Sequence, residues 1–173
     1  MSKGSLRPGT GFTLIEVLMV VAIIAIAGAV VVPQMLQAGT FHSQAAARVV
    51  IADLLYAQND AIAAQAPRRI VFEPNLNRYR LTDEQGTTLT ANWMSGGDAG
   101  ANYLVDFAAD RRFSGVQITL ADFADTTTLE FDDLGAPSSG GSVELTSLTS
   151  TNVQYRINVA PFTGRVTIES VTP

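Results

Sequence analysis

The chain has no cysteine and only one histidine, His42, among its 173 residues. The first absence excludes a disulfide framework, a thiol nucleophile and cysteine-based zinc or iron–sulfur sites. The second excludes a histidine dyad or a multi-histidine metal centre. Charge is scarce too. Asp, Glu, Lys and Arg make up 16 % of the residues, against roughly 25 % in an ordinary soluble domain. Beside an apolar share of 47 %, that deficit means that part of the chain is not made for water. The formal charge is −5 and the pI about 4.7, so a broad cationic footprint for nucleic acid is also missing. The length suits one domain of ordinary size with an appendage.

What is present comes in blocks. Residues 1–11 are rich in small side chains and carry only Lys3 and Arg7 as charges. Phe12 to Val32 reads FTLIEVLMVVAIIAIAGAVVV, a 21-residue run with Glu16 as its sole charge. From Pro33 the composition turns ordinary and polar. Without the first eleven residues, nine arginines face sixteen acids. A helix of 21 residues spans roughly 31 Å, the thickness of a bilayer's hydrocarbon core. Basic flanks stay in the cytoplasm, which puts the acidic remainder across the inner membrane.

Two other readings fit such a run less well. A buried soluble helix would show a polar face, and none interrupts Val17 to Val32. A cleavable secretory signal has the same basic start, and Ala25-Ile26-Ala27 imitates its small-x-small cleavage site. Glu16 argues against it. A carboxylate at the centre of a membrane helix costs about 2.5–3.5 kcal/mol, somewhat less near an end, and a disposable signal gains nothing from that. A cut between Gly11 and Phe12 gives Glu16 a purpose. It creates an ammonium one helical turn away, and the two buried charges satisfy each other. The pair forms within one chain or between an incoming subunit and its neighbour in a helical array.

Gly11-Phe12-Thr13-Leu14-Ile15-Glu16-Val17 resembles the prepilin signature of type IV pilins and type II secretion pseudopilins. The resemblance implies cleavage after Gly11 by a prepilin peptidase, methylation of the new amino terminus at Phe12, and an assembly role for Glu16 as the family's fifth-position glutamate. Pro33 falls where these helices commonly carry a proline. It lacks an N–H, so a kink or local unwinding is expected there.

Beyond Pro33 a helix is expected to resume and run to about Ala66, ended by Pro67. Gly39 and Thr40 are its weak spots. Ala47, Ile51, Leu54, Leu55 and Ile62 share a stripe about 80° wide that should dock on a sheet, with Asp53 and Asp60 opposite. The rest reads as β structure. Residues 69–72 and 79–81 flank the turn Pro74-Asn75-Leu76-Asn77 as a hairpin closed by Gln85-Gly86. Residues 92–100 (NWMSGGDAG) read as a loop insertion. Further strands are expected at 116–120, 128–131, 142–148, 153–159 and 165–170. APSSGG (136–141) and APFTG (160–164) are the connecting turns. In the last two strands Val153, Tyr155, Ile157 and Val159 alternate, as do Val166 and Ile168.

The expected fold is therefore α+β: a long N-terminal helix, half transmembrane and half amphipathic, packed on a small antiparallel sheet or sandwich in the pilin manner. The expected divisions are a leader (1–11), a membrane and filament-core helix (12–32), its amphipathic continuation (33–66) and a β-rich body (67–173).

The helix-then-hairpin body, the Gly-rich turn and the ending strand–Thr163-Gly164-Arg165-Val166–strand resemble the GspH/FimT group of minor pseudopilins. Major pseudopilins often carry an acidic calcium loop near the C-terminus, whereas the last twenty residues here hold one acid, Glu169. The resemblance implies a structural, non-enzymatic subunit of a type II secretion system near the tip of a periplasmic pseudopilus. Its implied partners are the prepilin peptidase, the major and other minor pseudopilins, the inner-membrane assembly platform and secreted cargo. The alternative is a FimT-like minor pilin of a type IV pilus, acting in assembly, adhesion or DNA uptake. Some FimT-like pilins bind DNA through Gly-Arg-x-Arg. Gly164-Arg165-Val166-Thr167 lacks the second arginine, and the acidic body opposes phosphate binding.

Other constellations read as structural. His42 is expected to be a solvated helix residue. Asp122, Asp125, Asp132 and Asp133 lack the alternating spacing of a calcium loop and read as solvated loop acids. Ser138-Ser139 has no activating histidine, and Gly96-Gly97-x-x-Gly100 follows no strand, as a phosphate cradle would. Trp93 and Met94 read as core or as an exposed contact. Arg68-Arg69 and Arg111-Arg112 read as solvating pairs. No catalytic residue, metal site or cofactor is expected.

Overall fold

A computed structural model describes residues 12–91, 101–148 and 154–171, with the backbone alone for 30 and 32–40. One helix, α1, runs Leu14–Ala64. Contacts divide the chain into residues up to Leu36 and a body from Gln37 on. In the first unit the described side chains of α1 are apolar apart from Glu16 and mostly exposed. Among the described residues no helix is long and apolar enough to cross a membrane; the described side chains of the apolar run reach Ala29, then only Val31.

The body holds eight strands, all paired antiparallel. They are β1 (Arg68–Glu73), β2 (Arg78–Asp83), β3 (Leu104–Asp106), β4 (Val116–Asp122), β5 (Thr128–Phe131), β6 (Gly141–Ser147), β7 (Gln154–Val159) and β8 (Val166–Val171). One sheet has the order β3-β2-β1-β5 and the other β4-β6-β7-β8. The chain changes sheet after β3, β4 and β5, which ties the two sheets together. The expected α+β plan is therefore what forms. The strands match the expected ones to within two residues at each described end. The addition is β3, three residues long and starting four residues beyond the 92–100 insertion, which lies outside the described residues.

Period-two alternation places the core. Ile70 pairs with Leu81 and Phe72 with Tyr79, so all four share one face of the first sheet, and all four are buried. Val143, Leu145, Ile157 and Val159 do the same for the second sheet. Aromatic rings fill the space between: Phe72 stacks on Phe123 at 5.8 Å, and Phe107 meets Phe113 edge-on at 5.1 Å. The opposite face of the first sheet is charged, with Glu73 between Arg78 and Arg80 and Arg69 paired to Glu130. In β8, the edge strand of the second sheet among the described residues, Val166 and Ile168 keep the expected alternation but are only partly covered.

The helix docks on the core by a different stripe from the one its large side chains suggest. The buried residues are Ala46, Ala47, Val50, Leu54, Ala57 and Ala61, while Leu55 and Ile62 remain 42 % and 47 % exposed. The buried face is turned roughly 90° from the expected one, at 100° per residue. Alanines let the helix backbone approach the sheet closely, so small residues rather than bulky ones mark the contact. The rotation also carries Asp53 inside.

Helix α1 ends two residues before the expected limit. Gln65 takes the left-handed conformation (φ 49°), Ala66 N–H reaches the carbonyl of Ala61, and Gln65 N–H reaches that of Ile62. This is the double-bonded C-terminal cap usually built on glycine. The hairpin turn is a short 3-10 segment, Pro74–Leu76, ended by Asn77 at φ 52°. The Asn77 side chain does more than turn the chain. Its amide donates to the Val116 carbonyl at 2.8 Å and accepts from Ile118 N–H at 2.9 Å, fastening the hairpin to β4.

Candidate functional site

The first turn of α1 presents the residues that the sequence singles out. Thr13 precedes the helix, and its Oγ1 accepts the Glu16 N–H at 3.3 Å, as an N-cap does. Thr13-x-x-Glu16 also has the spacing of a capping box, which puts an acid where the helix dipole favours one. Phe12 is 81 % exposed and Glu16 is exposed on the same face as Val17, Val20 and Val21, around a shallow apolar depression of about 230 Å³. A carboxylate on an otherwise apolar, uncovered helix face is unsatisfied in any apolar surrounding until a cation reaches it. Gly11 lies outside the described residues. Pro33 lies inside α1, where it removes one backbone donor.

The remaining candidates are absorbed by the body. His42 is half-buried, and its Nδ1 lies 2.6 Å from the carbonyl oxygen of Arg112, to which Nδ1–H donates. It pins the helix to the Arg111–Phe113 turn instead of being solvated. Asp132 accepts the N–H groups of Leu134 and Ala136, and Asp122 that of Asp125, so both close turns. Among the described residues no group of three His, Asp or Glu side chains is close enough to hold a metal ion. The arginine pairs are mostly neutralised: Arg68 by Asp60, Arg69 by Glu130 and Arg112 by Asp110. Ser138 is a turn residue whose Oγ accepts from Glu130 N–H. Trp93, Met94 and Gly96 to Gly100 lie outside the described residues.

Sequence reasoning misses the body's most polar core feature. Asp53, 8 % exposed, accepts hydrogen bonds from Tyr79 Oη at 2.5 Å and Tyr103 Oη at 2.7 Å. Tyr56 stacks on Tyr103 with ring centroids 5.3 Å apart. Burial pushes the Asp53 carboxyl above its ordinary range, and the two phenol donors only partly offset this. Burial, with the Asp53 carboxylate beside it, likewise pushes both phenols up. The available signal was composition: alanines flanking an aspartate identify a helix face that is close-packed despite its lack of bulk.

Comparison with known proteins agrees with this anatomy. Residues 8–32 match the prokaryotic N-terminal methylation motif. Residues 46–164, more than half of the chain, match the family "Type II transport protein GspH". The chain is 29 % identical over 158 residues to the type II secretion system protein H of Xanthomonas campestris pathovar campestris, covering 90 % of this chain and 80 % of that protein. Its fold is similar to that of the minor pseudopilin EpsH of the type 2 secretion system of Vibrio cholerae. There the TM-score is 0.54 at 13 % identity, covering 75 % of this chain and 97 % of the other. The type IV minor pilin FimU of Pseudomonas aeruginosa gives a TM-score of 0.52 at 16 % identity, covering 76 % and 92 %. An apolar N-terminal helix carrying a methylation motif, followed by a body of this kind, describes a membrane-anchored filament subunit. The chain belongs to the GspH family of type II transport proteins, as a minor pseudopilin.

Proposed function

We propose that the chain is made as a prepilin, held by Phe12–Val32 as a single pass in the inner membrane with its N-terminus cytoplasmic and its body periplasmic. Prepilin peptidase cuts after Gly11 and Phe12 is methylated. The subunit then enters a pseudopilus at or near its tip, where its body meets the other pseudopilins and, through them, the assembly platform and exported cargo. It acts by assembly and not by catalysis. The observation that carries this reading is a lone carboxylate five residues past Gly11, on an apolar run whose described side chains are mostly exposed. The amine of Phe12 on a neighbouring subunit is the cation that satisfies Glu16.

Mass spectrometry of the protein from membranes containing the peptidase tests the reading. The expected mature chain begins at methylated Phe12 and is lost when Gly11 is replaced. A chain beginning at Gly28 would instead mean a cut after Ala27 and a secreted soluble body.

Glu16→Val separates processing from assembly. Cleavage should persist, while incorporation into filaments drops roughly a hundred-fold or more, because the neighbour's buried ammonium is left unpaired at a cost of about 3–5 kcal/mol. Co-purification of the processed subunit with assembled pseudopili reads the difference; unchanged incorporation would remove the pairing role.

A further inference from the structure

An edge strand turns a row of backbone N–H and C=O groups away from its own ladder. In the two sheets the edge strands are β3 and β5, and β4 and β8. Three of these edges are closed by the protein's own groups. On β3, only three residues long, Leu104 N–H reaches the Asn102 carbonyl at 2.8 Å, and the Asp106 carbonyl accepts the N–H of Asp110 at 3.2 Å. On β5, Ser138 takes both groups of Glu130: the Glu130 carbonyl accepts the Ser138 N–H at 2.7 Å, and the Glu130 N–H donates to Ser138 Oγ at 3.3 Å. On β4, the Asn77 side chain stands in for a neighbouring strand by holding the Val116 carbonyl and the Ile118 N–H, and a bulge follows between Ile118 and Leu120.

The β8 edge has no such cover among the described residues. Ala160 N–H donates to the Arg165 carbonyl at 2.9 Å, which fixes the phase of the β7–β8 ladder. Thr167, Glu169 and Val171 turn their backbone groups to β7, whereas Val166, Ile168 and Ser170 turn theirs outward. No described residue bonds to those outward groups. The strand is six residues long, keeps unbroken register with β7 and contains no proline or lysine, so it lacks the usual devices against pairing. Its side chains are also sorted as those of a paired strand are. Val166 and Ile168, the latter 43 % exposed, continue the apolar inner face marked by Val159 and Ile157. Arg165, just before β8, and Glu169 are exposed on the other face, and neither has an ion-pair partner among the described residues.

We propose that the outer edge of β8 receives a strand from a different pseudopilin, which extends the β4-β6-β7-β8 sheet by one strand. Only an extended backbone offers donors and acceptors in the matching alternation, repeating about every 6.8 Å. The incoming segment carries apolar residues on the side of Val166 and Ile168. On its other side it places an acid near Arg165 and a base near Glu169. A second copy of this chain would meet the same pattern, since antiparallel pairing about Thr167 sets Arg165 opposite Glu169. A minor subunit, however, is outnumbered in its filament by other pseudopilins, so the strand belongs to one of those. The inference rests on the assembly reading above and adds to it the surface and the backbone chemistry by which the subunit is joined.

Hydrogen exchange resolved to single amides tests it. The full chain alone in detergent is compared with the full chain co-purified with the other pseudopilins of its secretion system. Val166, Ile168 and Ser170 should exchange fast in the lone chain and roughly ten-fold or more slower in the assembly, with Thr167 and Glu169 protected in both. Ser170→Pro removes one outward N–H and spares the β7 ladder. It should lower co-purification roughly ten-fold or more, whereas Ser170→Ala stays within about two-fold of the parent. Protection of Thr167 and Glu169 in the lone variant shows that it is folded, and exchange in the parent stands without any variant. A parent that co-purifies without slowing these amides, or a folded Ser170→Pro chain that co-purifies like the parent, would overturn the proposal. So would slow exchange in the lone chain: dependence on its concentration would mean self-pairing, and independence would mean that the chain covers its own edge. If the processed parent does not co-purify at all, the assembly reading fails and this inference falls with it, so the two failures are told apart.

Discussion

Asp53→Ala should destabilise the body by about 3 kcal/mol, lowering its melting temperature by roughly 6–12 °C in circular dichroism of the full chain in detergent. The magnitude comes from what is left behind. Tyr79 is fully buried and Tyr103 nearly so, and each spends its hydroxyl on the Asp53 carboxylate. Without the acceptor, two buried donors go unsatisfied at about 1–3 kcal/mol each, and water entering the vacated space recovers part of that. Tyr103→Phe removes one donor while the carboxylate keeps the other, so about 1 kcal/mol is expected. If Asp53→Ala melted like the parent, the carboxylate would not be what fixes helix to sheet.

The same group leaves a signature in pH. Burial raises the Asp53 carboxyl above its value in the unfolded chain. The folded state therefore holds this proton more tightly than the unfolded state does. Its contribution is fully present below the unfolded value of about 3.9 and is lost as pH rises through the folded one. Ordinary salt-bridged carboxylates behave the other way and lose stability in acid. Parent minus Asp53→Asn stability should therefore increase as pH falls from 7 towards 4. A difference that stays flat or shrinks would mean that the carboxylate is not desolvated in the folded protein.

The sequence announces the strands and hides the helix face, and both follow from size. In the sheets the buried positions carry Ile70, Phe72, Leu81, Val143 and Ile157, so alternation of bulky and polar residues marks the inner face directly. On α1 the buried positions are mainly alanines, and a pattern weighted by bulk picks Leu55 and Ile62, which flank the contact without entering it. Asp53 is hidden for a related reason: its partners lie 26 and 50 residues away in the chain, beyond any local pattern. The short β3 strand takes its identity from pairing with β2 and has no period of its own. The N-terminal signature is legible because its logic is local: glycine, new terminus, carboxylate and apolar run follow one another. The open edge of β8 is legible only in three dimensions, since it stands out by the closure of the β4 and β5 edges through Asn77 and Ser138.

Gly141→Ala is expected to cost about 3 kcal/mol or more, at or beyond the upper end of what overpacking does. Gly141 opens β6, and a Cβ there would lie 2.2 Å from the Asp122 carbonyl oxygen, 2.5 Å from Phe123 Cδ1 and 2.9 Å from Phe123 Cα. Backbone atoms of β4's end cannot yield as a flexible side-chain tip would. Phe123 is fully buried and stacks on Phe72 of the first sheet, so pushing it aside loosens the joint between the two sheets. Gly86→Ala supplies the contrast, because its φ of +84° is unfavourable for alanine but nothing lies within 4 Å. There only the conformational term applies, about 1–2 kcal/mol. Thermal unfolding of both variants separates crowding from backbone preference. Phe123→Leu, destabilising alone, should cost less in the Gly141→Ala background than in the parent, because part of the crowding is with that ring. Strict additivity of the two changes would place the strain on the backbone atoms, the Asp122 carbonyl and Phe123 Cα, and leave the aromatic joint undisturbed.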